Sequence, residues 1–154
     1  IGSRKLLNVS QYKYSGKFLE YIYEEDTLLA IIIKSDFTSE GIEFFTPNEF
    51  SQQLGYMKRE TGYIIQPHIH KPVERKIQYT NEVLFIKTGS LKVDFYKPDQ
   101  TYIKSKVLKT GDIILLAQGG HGFEFLEESE IIEVKQGPYA GELDKKRFES
   151  RKDI

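Results

Sequence analysis

The sequence predicts an all-β protein made of a single domain. Apolar residues recur at the two-residue spacing of β-strands, in short segments separated by turn residues, and no long stretch shows helical spacing. A chain of 154 residues can bury a substantial core but is too short for two large domains. The hydrophobic fraction of 39% and the charged fraction of 29% are ordinary for a soluble globular protein. A barrel or a sandwich is therefore the expected architecture.

The expected strands begin with a hairpin in which residues 17–23 and 27–34 flank an acidic turn. In residues 91–96 the apolar side chains alternate with polar ones, which places Leu91, Val93 and Phe95 on the inner face of a half-buried strand. The other expected strands are 63–70, 82–87, 102–108, 112–116, 122–126 and 131–136, and weaker helical candidates are 48–54 and 141–150.

Composition excludes several functional classes. The formal net charge is -1, so no excess of either sign points to a nucleic-acid or membrane partner. The longest apolar run, residues 28–33, falls far short of the ~20 residues that cross a bilayer. There is no cysteine, which excludes disulfides, thiolate metal ligands and a cysteine nucleophile. The first residues lack the basic and apolar regions of a secretion signal, so we expect a cytoplasmic protein.

A pair of histidines is the first feature that points to chemistry. The chain has three histidines, and His68 and His70 are two residues apart in a segment expected to be extended. Alternation places both imidazoles on one face of the strand, and both can reach one ion where the strand curves. Pro67 favours extended backbone at Gln66. On spacing alone, two surface histidines in a loop are an equal alternative.

The residues around this pair resemble the first sequence motif of the cupin superfamily. Gly62 is followed by five residues, His68, one residue and His70, which is the first half of that motif. The second half is a glutamate followed after six residues by a glycine. Glu82 and Gly89 have this spacing, although the eleven residues between His70 and Glu82 exceed the three or four of the basic pattern.

Glu74 is the alternative glutamate. It has the shorter spacing after His70, but Asn81 stands where the motif has glycine. We prefer Glu82 because it opens an apolar strand, whereas Glu74 lies among Pro72 and basic residues in a loop.

The second cupin motif is matched in part. Gly111 and the apolar residues after it form a good opening. Ala117 then replaces a proline, the gap between Gly119 and His121 is one residue short, and Phe125 replaces an asparagine. His121 nevertheless keeps the position of the motif's histidine ligand.

The resemblance implies a cupin-type jelly-roll β-barrel with additional N-terminal strands. Residues 1–154 would form one domain, with the motif-bearing barrel at about 57–137, the N-terminal strands at 17–46 and a short C-terminal tail at 138–154. It also implies one divalent transition metal ion, of which Fe, Mn, Ni, Co, Cu and Zn all suit the ligand types. The implied ligands are His68, His70, Glu82 and His121.

The resemblance to small bacterial cupins of surface-polysaccharide gene sets implies a sugar or sugar-nucleotide ligand. A metal-dependent isomerase or epimerase, a dioxygenase, and a non-catalytic accessory or regulatory cupin that binds sugar or metal are all compatible with it. Candidate ligand-binding residues are Gln66, Arg75, Tyr79, Phe123 and Gln136. Gln136 is expected on the inner face of the last strand, together with Ile132 and Val134.

Two expectations concern surfaces. The segment 27–33 is apolar on both faces and must be covered on both, which predicts a homodimer built on this strand; the alternative is a strand buried within one chain. The connection 71–81 is longer than a hairpin turn, so we expect it at the mouth of the barrel as a lid or binding wall.

Overall fold

The structure is a computed structural model that describes residues 16–150. In this range all regular structure is β-strand apart from a short 3-10 helix at Gly141–Leu143, so the all-β prediction is confirmed. No helix in this range is long and apolar enough to span a membrane. The expectations for the first residues and for the end of the C-terminal tail lie outside the described range. The strands are β1 (Leu19–Glu24), β2 (Thr27–Ile33), β3 (Gly41–Phe44), β4 (Gly55–Lys58), β5 (Glu82–Thr88), β6 (Ser90–Tyr96), β7 (Tyr102–Lys109), β8 (Ile113–Leu116), β9 (Gly120–Phe125) and β10 (Glu130–Lys135).

Three antiparallel sheets form the architecture. The largest has the strand order β1-β2-β8-β5-β10, the second has the order β7-β6-β9, and β3 pairs with β4 alone. None of these sheets closes on itself within residues 16–150. The described strands therefore form an open assembly of packed sheets, in which β9 and β10 each have one free edge.

The main core lies between the two larger sheets. The inner side chains of β6, Leu91, Val93 and Phe95, are at most 1% exposed, as their alternation predicts. They pack with inner side chains of the five-stranded sheet such as Ile32 and Ile114. Burying one such side chain contributes about 1.5–3 kcal/mol, which makes this cluster the principal apolar contribution to the fold.

Strand β2 separates the main core from a second one. Ile32 belongs to the main core, whereas Ile31 packs with Phe45 and Tyr21 on the opposite face of the sheet, under β3 and β4. The hydroxyl of Tyr21 donates a 2.8 Å hydrogen bond to the Phe45 carbonyl. Both faces of this strand are thus covered by the chain itself, so the reason given above for a dimer built on β2 does not apply.

Three predicted elements differ in the structure, and of the helix expected at 141–150 only the 3-10 helix at Gly141–Leu143 forms. Residues 48–54 form turns instead of a helix, because the Gln53 amide donates to the carbonyls of Pro47 and Phe50 and so competes with helical hydrogen bonds. Residues 63–70 pair with no strand in the described part of the chain, and residues 59–79 are exposed throughout. We call residues 59–79 the arm.

Candidate metal centre

Strands β9 and β10 are edge strands of the two larger sheets, and we call their free edges, together with the inner face of β9, the seam. Both strands are largely solvent-exposed, although each carries large apolar side chains. Phe123 and Phe125 share the face of β9 that bears His121, and they stand opposite the core residues Val93 and Leu91 of β6. These phenylalanines are 43% and 63% exposed, so the described part of the chain covers the inner face of β9 incompletely.

Glu82 and His121 meet at one end of the seam. Glu82 is the first residue of β5, opposite Leu116 of β8, and it is 9% exposed. His121 lies on β9 opposite Phe95. The His121 Nε2 atom is 3.0 Å from Glu82 Oε2, so a hydrogen bond joins the two larger sheets at this point. The carboxylate that the first motif selects and the histidine of the second motif are therefore in direct contact.

Electrostatic contacts keep Glu82 anionic. The hydrogen bond from His121, supported by a 3.1 Å contact of Lys135 Nζ with Glu82 Oε1, lowers the pKa of Glu82 from about 4.5 to about 2 despite its burial. Lys135 also contacts Glu133, and its two carboxylate partners raise the pKa of its ammonium group. Glu82 is thus a permanently charged oxygen donor at neutral pH.

The geometry of the Glu82–His121 pair suits a shared ion. Two ligand atoms each about 2.1 Å from one metal and about 90° apart are separated by about 3.0 Å. The Oε2 to Nε2 distance of 3.0 Å matches this separation. A carboxylate oxygen and an imidazole nitrogen are also ligand types that divalent transition metals accept.

The arm carries the other two predicted ligands. His68 and His70 are exposed and their ring centroids lie 5.2 Å apart. The Nδ1 atom of His68 is 2.9 Å from the carbonyl oxygen of Gln66. Because a carbonyl oxygen can only accept a hydrogen bond, Nδ1 is the donor. This tautomer leaves Nε2 of His68 as a free acceptor, which is the form that binds metals.

A single copy does not assemble the full set of ligands. Within residues 16–150 no group of three or more His, Asp or Glu side chains of one chain could hold a metal. The four predicted ligands form two separate pairs, with His68 and His70 on the arm and Glu82 and His121 at the seam. Glu82, and not Glu74, is the carboxylate beside His121.

Comparison with known proteins adds no relative. No protein-family model, no curated protein and no solved structure matches this chain.

The candidate ligand-binding residues fall into two groups. Phe123 borders the site, with its ring centroid 5.3 Å from that of His121. Gln66, Arg75 and Tyr79 lie on the exposed arm, where Arg75 contacts only the nearby Val73 carbonyl among the hydrogen bonds of the described residues.

Gln136 requires a correction. The expectation places it with Ile132 and Val134 on the inner face of the last strand, but Lys135 stands opposite Glu82 in the ladder and shares its face. The alternation of β10 therefore turns Ile132 and Val134 outward, and Gln136, which follows directly, has their parity. Its backbone N–H donates to the Asn81 carbonyl, a structural role at the start of β5.

Lys135 is the site residue that sequence reasoning missed. It is the third member of the polar cluster because it contacts Glu82. The signal was available in the last strand, where Ile131 and Lys135 are four residues apart and share a face. Choosing Ile131 rather than Ile132 as the inward residue would have placed Lys135 at the site.

Proposed function

We propose that this chain is a cupin-like protein that binds one divalent transition metal ion at Glu82 and His121 and acts there on a small polar metabolite. The observation that carries the proposal is the 3.0 Å contact between a permanently ionised carboxylate and an imidazole at the edge of an open seam. His68 and His70 are the remaining ligands in this proposal. Three neutral imidazoles and one carboxylate leave a divalent ion with a net charge of +1.

The state of Glu82 favours a ligand over a general base. A base that works near neutral pH needs a pKa near 7, whereas the pKa of Glu82 is about 2. An anionic carboxylate is the form that metals bind. When bound, the ion would supply Lewis acidity, and four protein ligands would leave coordination positions open for a substrate.

The surroundings of the pair favour a sugar or a sugar nucleotide. Phe123 places an exposed aromatic face beside His121, and such a face can stack on the apolar side of a sugar ring. Arg75 and Lys76 on the arm would supply cations for the phosphates of a nucleotide.

A non-catalytic sugar- or metal-binding module is the second candidate. Its support is the ion-pair network at the seam, in which Lys135 lies 3.1 Å from Glu82 and 3.2 Å from Glu133. Lys135 and Glu82 stabilise each other as full charges, so neither is suited to exchange a proton at neutral pH. A site of this kind can bind a ligand without transforming it.

The test is metal binding by protein purified without an affinity tag. Calorimetric titration of metal-free protein with Ni²⁺, Mn²⁺ or Zn²⁺ should give one ion per chain, and Glu82→Gln and His121→Ala should each weaken binding at least ~10-fold. Glu133→Gln is the matched control, because it also removes a carboxylate partner of Lys135 but leaves the Glu82–His121 contact. A wild-type protein that binds none of these ions would refute the proposal.

A second experiment separates the two candidates. Metal-loaded protein is screened by thermal shift against sugar nucleotides, sugar phosphates and small organic acids, and each compound that raises the melting temperature is assayed for turnover. Turnover that is lost in His121→Ala supports an enzyme. Stabilisation without turnover supports the binding module.

A further inference from the structure

The arm and the seam both expose apolar surface that a folded protein normally covers. On the arm, Ile69 is 91% exposed and Ile64 is 78% exposed. At the seam, Phe123 is 43% exposed and Phe125 is 63% exposed. Soluble chains seldom leave contiguous apolar surface of this extent in water, so each of the two surfaces needs a partner.

The two surfaces match each other in backbone and in charge. Residues 63–70 are predicted as a strand but have no ladder partner among residues 16–150, where β9 and β10 each have a free edge. The arm carries four Lys or Arg and two Glu, a net charge of +2, whereas residues 120–135 carry five Glu and one Lys, a net charge of -4. If residues 63–70 were added as a strand at one of these edges, they would form backbone hydrogen bonds, bury apolar side chains and bring opposite charges together.

The arm does not use its own seam. Among residues 16–150, the hydrogen bonds and ring contacts of the arm join residues at most four apart, such as His68 with Gln66 and Arg59 with Tyr63. Its C-terminal end is fixed beside β10, where the Gln136 N–H donates to the Asn81 carbonyl. A segment of 21 residues that leaves the domain and returns to it can extend about 30 Å from its two ends. This distance reaches beyond the surface of a small domain.

We propose that the arm of one copy occupies the seam of a second copy, and that this exchange is reciprocal. Residues 63–70 add to the free edge of β9, with Gln66, His68 and His70 facing the same side as His121. A two-fold axis satisfies both copies at once, because each contributes one arm and one seam. The exchange covers Phe123 and Phe125 of the seam.

The exchange also explains why one copy holds only half of the predicted metal ligands. His68 and His70 of one copy would join Glu82 and His121 of the other, so each complete site would contain residues of two chains. This part rests on the proposed function, whereas the exchange itself rests on the shape, apolarity and charge of the two surfaces.

Cysteine cross-linking tests the exchange directly, because the chain has no cysteine of its own. The variants Ile64→Cys and Phe125→Cys are co-expressed with different tags and treated with a short bismaleimide, which tolerates a register shift of two residues. The expected product is a covalent dimer that carries both tags. Ile64→Cys with the exposed Ser51→Cys, on the loop between β3 and β4, is the matched control and should give no such product.

Three outcomes would overturn the exchange. The first is a light-scattering mass equal to the 17.9 kDa of one chain at tens of micromolar. The second is a double variant, Ile64→Cys with Phe125→Cys, that cross-links only within one chain. The third is a dimer in which neither the co-expressed single variants nor the double variant forms a cross-link, because such a dimer must use another surface.

A cross-link can fail to form for chemical reasons even when the two surfaces are in contact, so the dimer is also tested by an independent measurement. Ile64→Asp should raise the dissociation constant of the dimer at least tenfold in sedimentation equilibrium, because Ile64 has the parity of His68 and His70 and would face the seam. Val107→Asp, at an exposed position on β7, should leave it unchanged. Equal dissociation constants for arm variant and wild type would exclude the arm from the interface.

Mixing variants tests the shared metal site. A co-expressed heterodimer of His68→Ala/His70→Ala with Glu82→Ala/His121→Ala contains one intact site when ligands come from two chains, and none when they come from one. We expect one ion per heterodimer and loss of binding in each parent dimer. If the wild type binds no metal, the proposed function fails and the cross-linking result still decides the exchange.

Discussion

The side chains of Glu82 and His121 lie 3.0 Å apart although they belong to different sheets. Their contact connects the start of β5 to the exposed strand β9, whose one ladder partner among the described strands is β6. The pair therefore has a structural consequence as well as the chemical one proposed above.

The first prediction concerns pH. The pKa of Glu82 is lowered in the folded protein, so its contribution to stability is present above the unfolded value near 4.5 and is lost as pH falls towards about 2. Glu82→Gln should lower the free energy of unfolding by about 1–3 kcal/mol at pH 7, and the difference should shrink steadily below pH 4.5. Urea denaturation of both proteins at pH 7 and pH 3 checks this. An equal difference at the two pH values would contradict it.

The second prediction concerns Lys135. Its ammonium group lies 3.1 Å from Glu82 Oε1 and would repel a cation bound to the same carboxylate. Lys135→Met should therefore tighten binding of Ni²⁺ or Mn²⁺ about threefold in calorimetry. Lys87→Met, which removes an exposed partner of Glu130, is the control and should have no effect. Weaker metal binding in Lys135→Met would argue against an ion at Glu82.

The third prediction concerns a buried aspartate at the start of β8. Asp112 accepts hydrogen bonds from the backbone N–H groups of Ser35 and Lys109 at 2.9 and 2.8 Å, and Lys34 Nζ lies 3.2 Å from its Oδ2. Asp112→Ala leaves these donors without an acceptor and should cost about 3 kcal/mol of unfolding free energy. Asp112→Asn keeps one oxygen and should cost less. Thermal or urea unfolding of the two variants measures both costs, and an Asp112→Ala variant as stable as the wild type would contradict the hydrogen-bond argument.

The fourth prediction compares two glycines of positive φ. At Gly89, with φ +102°, an added Cβ would lie 2.7 Å from the Ser129 Cα, whereas at Gly62, with φ +86°, nothing lies within 4 Å. Gly62→Ala should cost only the strain of the backbone, about 1 kcal/mol, and Gly89→Ala should cost about 2–4 kcal/mol because the neighbouring chain must move. Urea midpoints of the two variants give the comparison, and equal costs would contradict the packing argument.

The sequence predicted the strands of the two larger sheets but missed β3 and β4, and residues 63–70, which it predicted as a strand, pair with no strand in the described range. Alternation identified Leu91, Val93 and Phe95 as inner residues because their own sheet buries that face. The same pattern in residues 63–70 predicts a strand, but hydrogen-bonded partners depend on tertiary pairing that a local pattern does not contain.

The residues of the candidate site were also predictable only in part. The resemblance to the two cupin motifs selected Glu82 and His121, and the structure places these two in contact. Lys135 was missed because Ile131 and Ile132 are both apolar, and a one-residue choice between them reverses every side chain of β10.

The two-sided burial of β2 has a consequence for how the chain folds. Ile31 and Ile32 are neighbours in sequence but belong to different cores, so a slip of one residue would exchange the contents of the two. Because residues 28–33 are all apolar, such a slip would bury much the same kind of surface and meet little penalty from the side chains themselves. Fidelity of pairing must then come from outside the strand, from the acidic turn after Glu24 and the irregularity between Ile22 and Tyr23. The described strand with the longest apolar run thus carries little information about its own alignment.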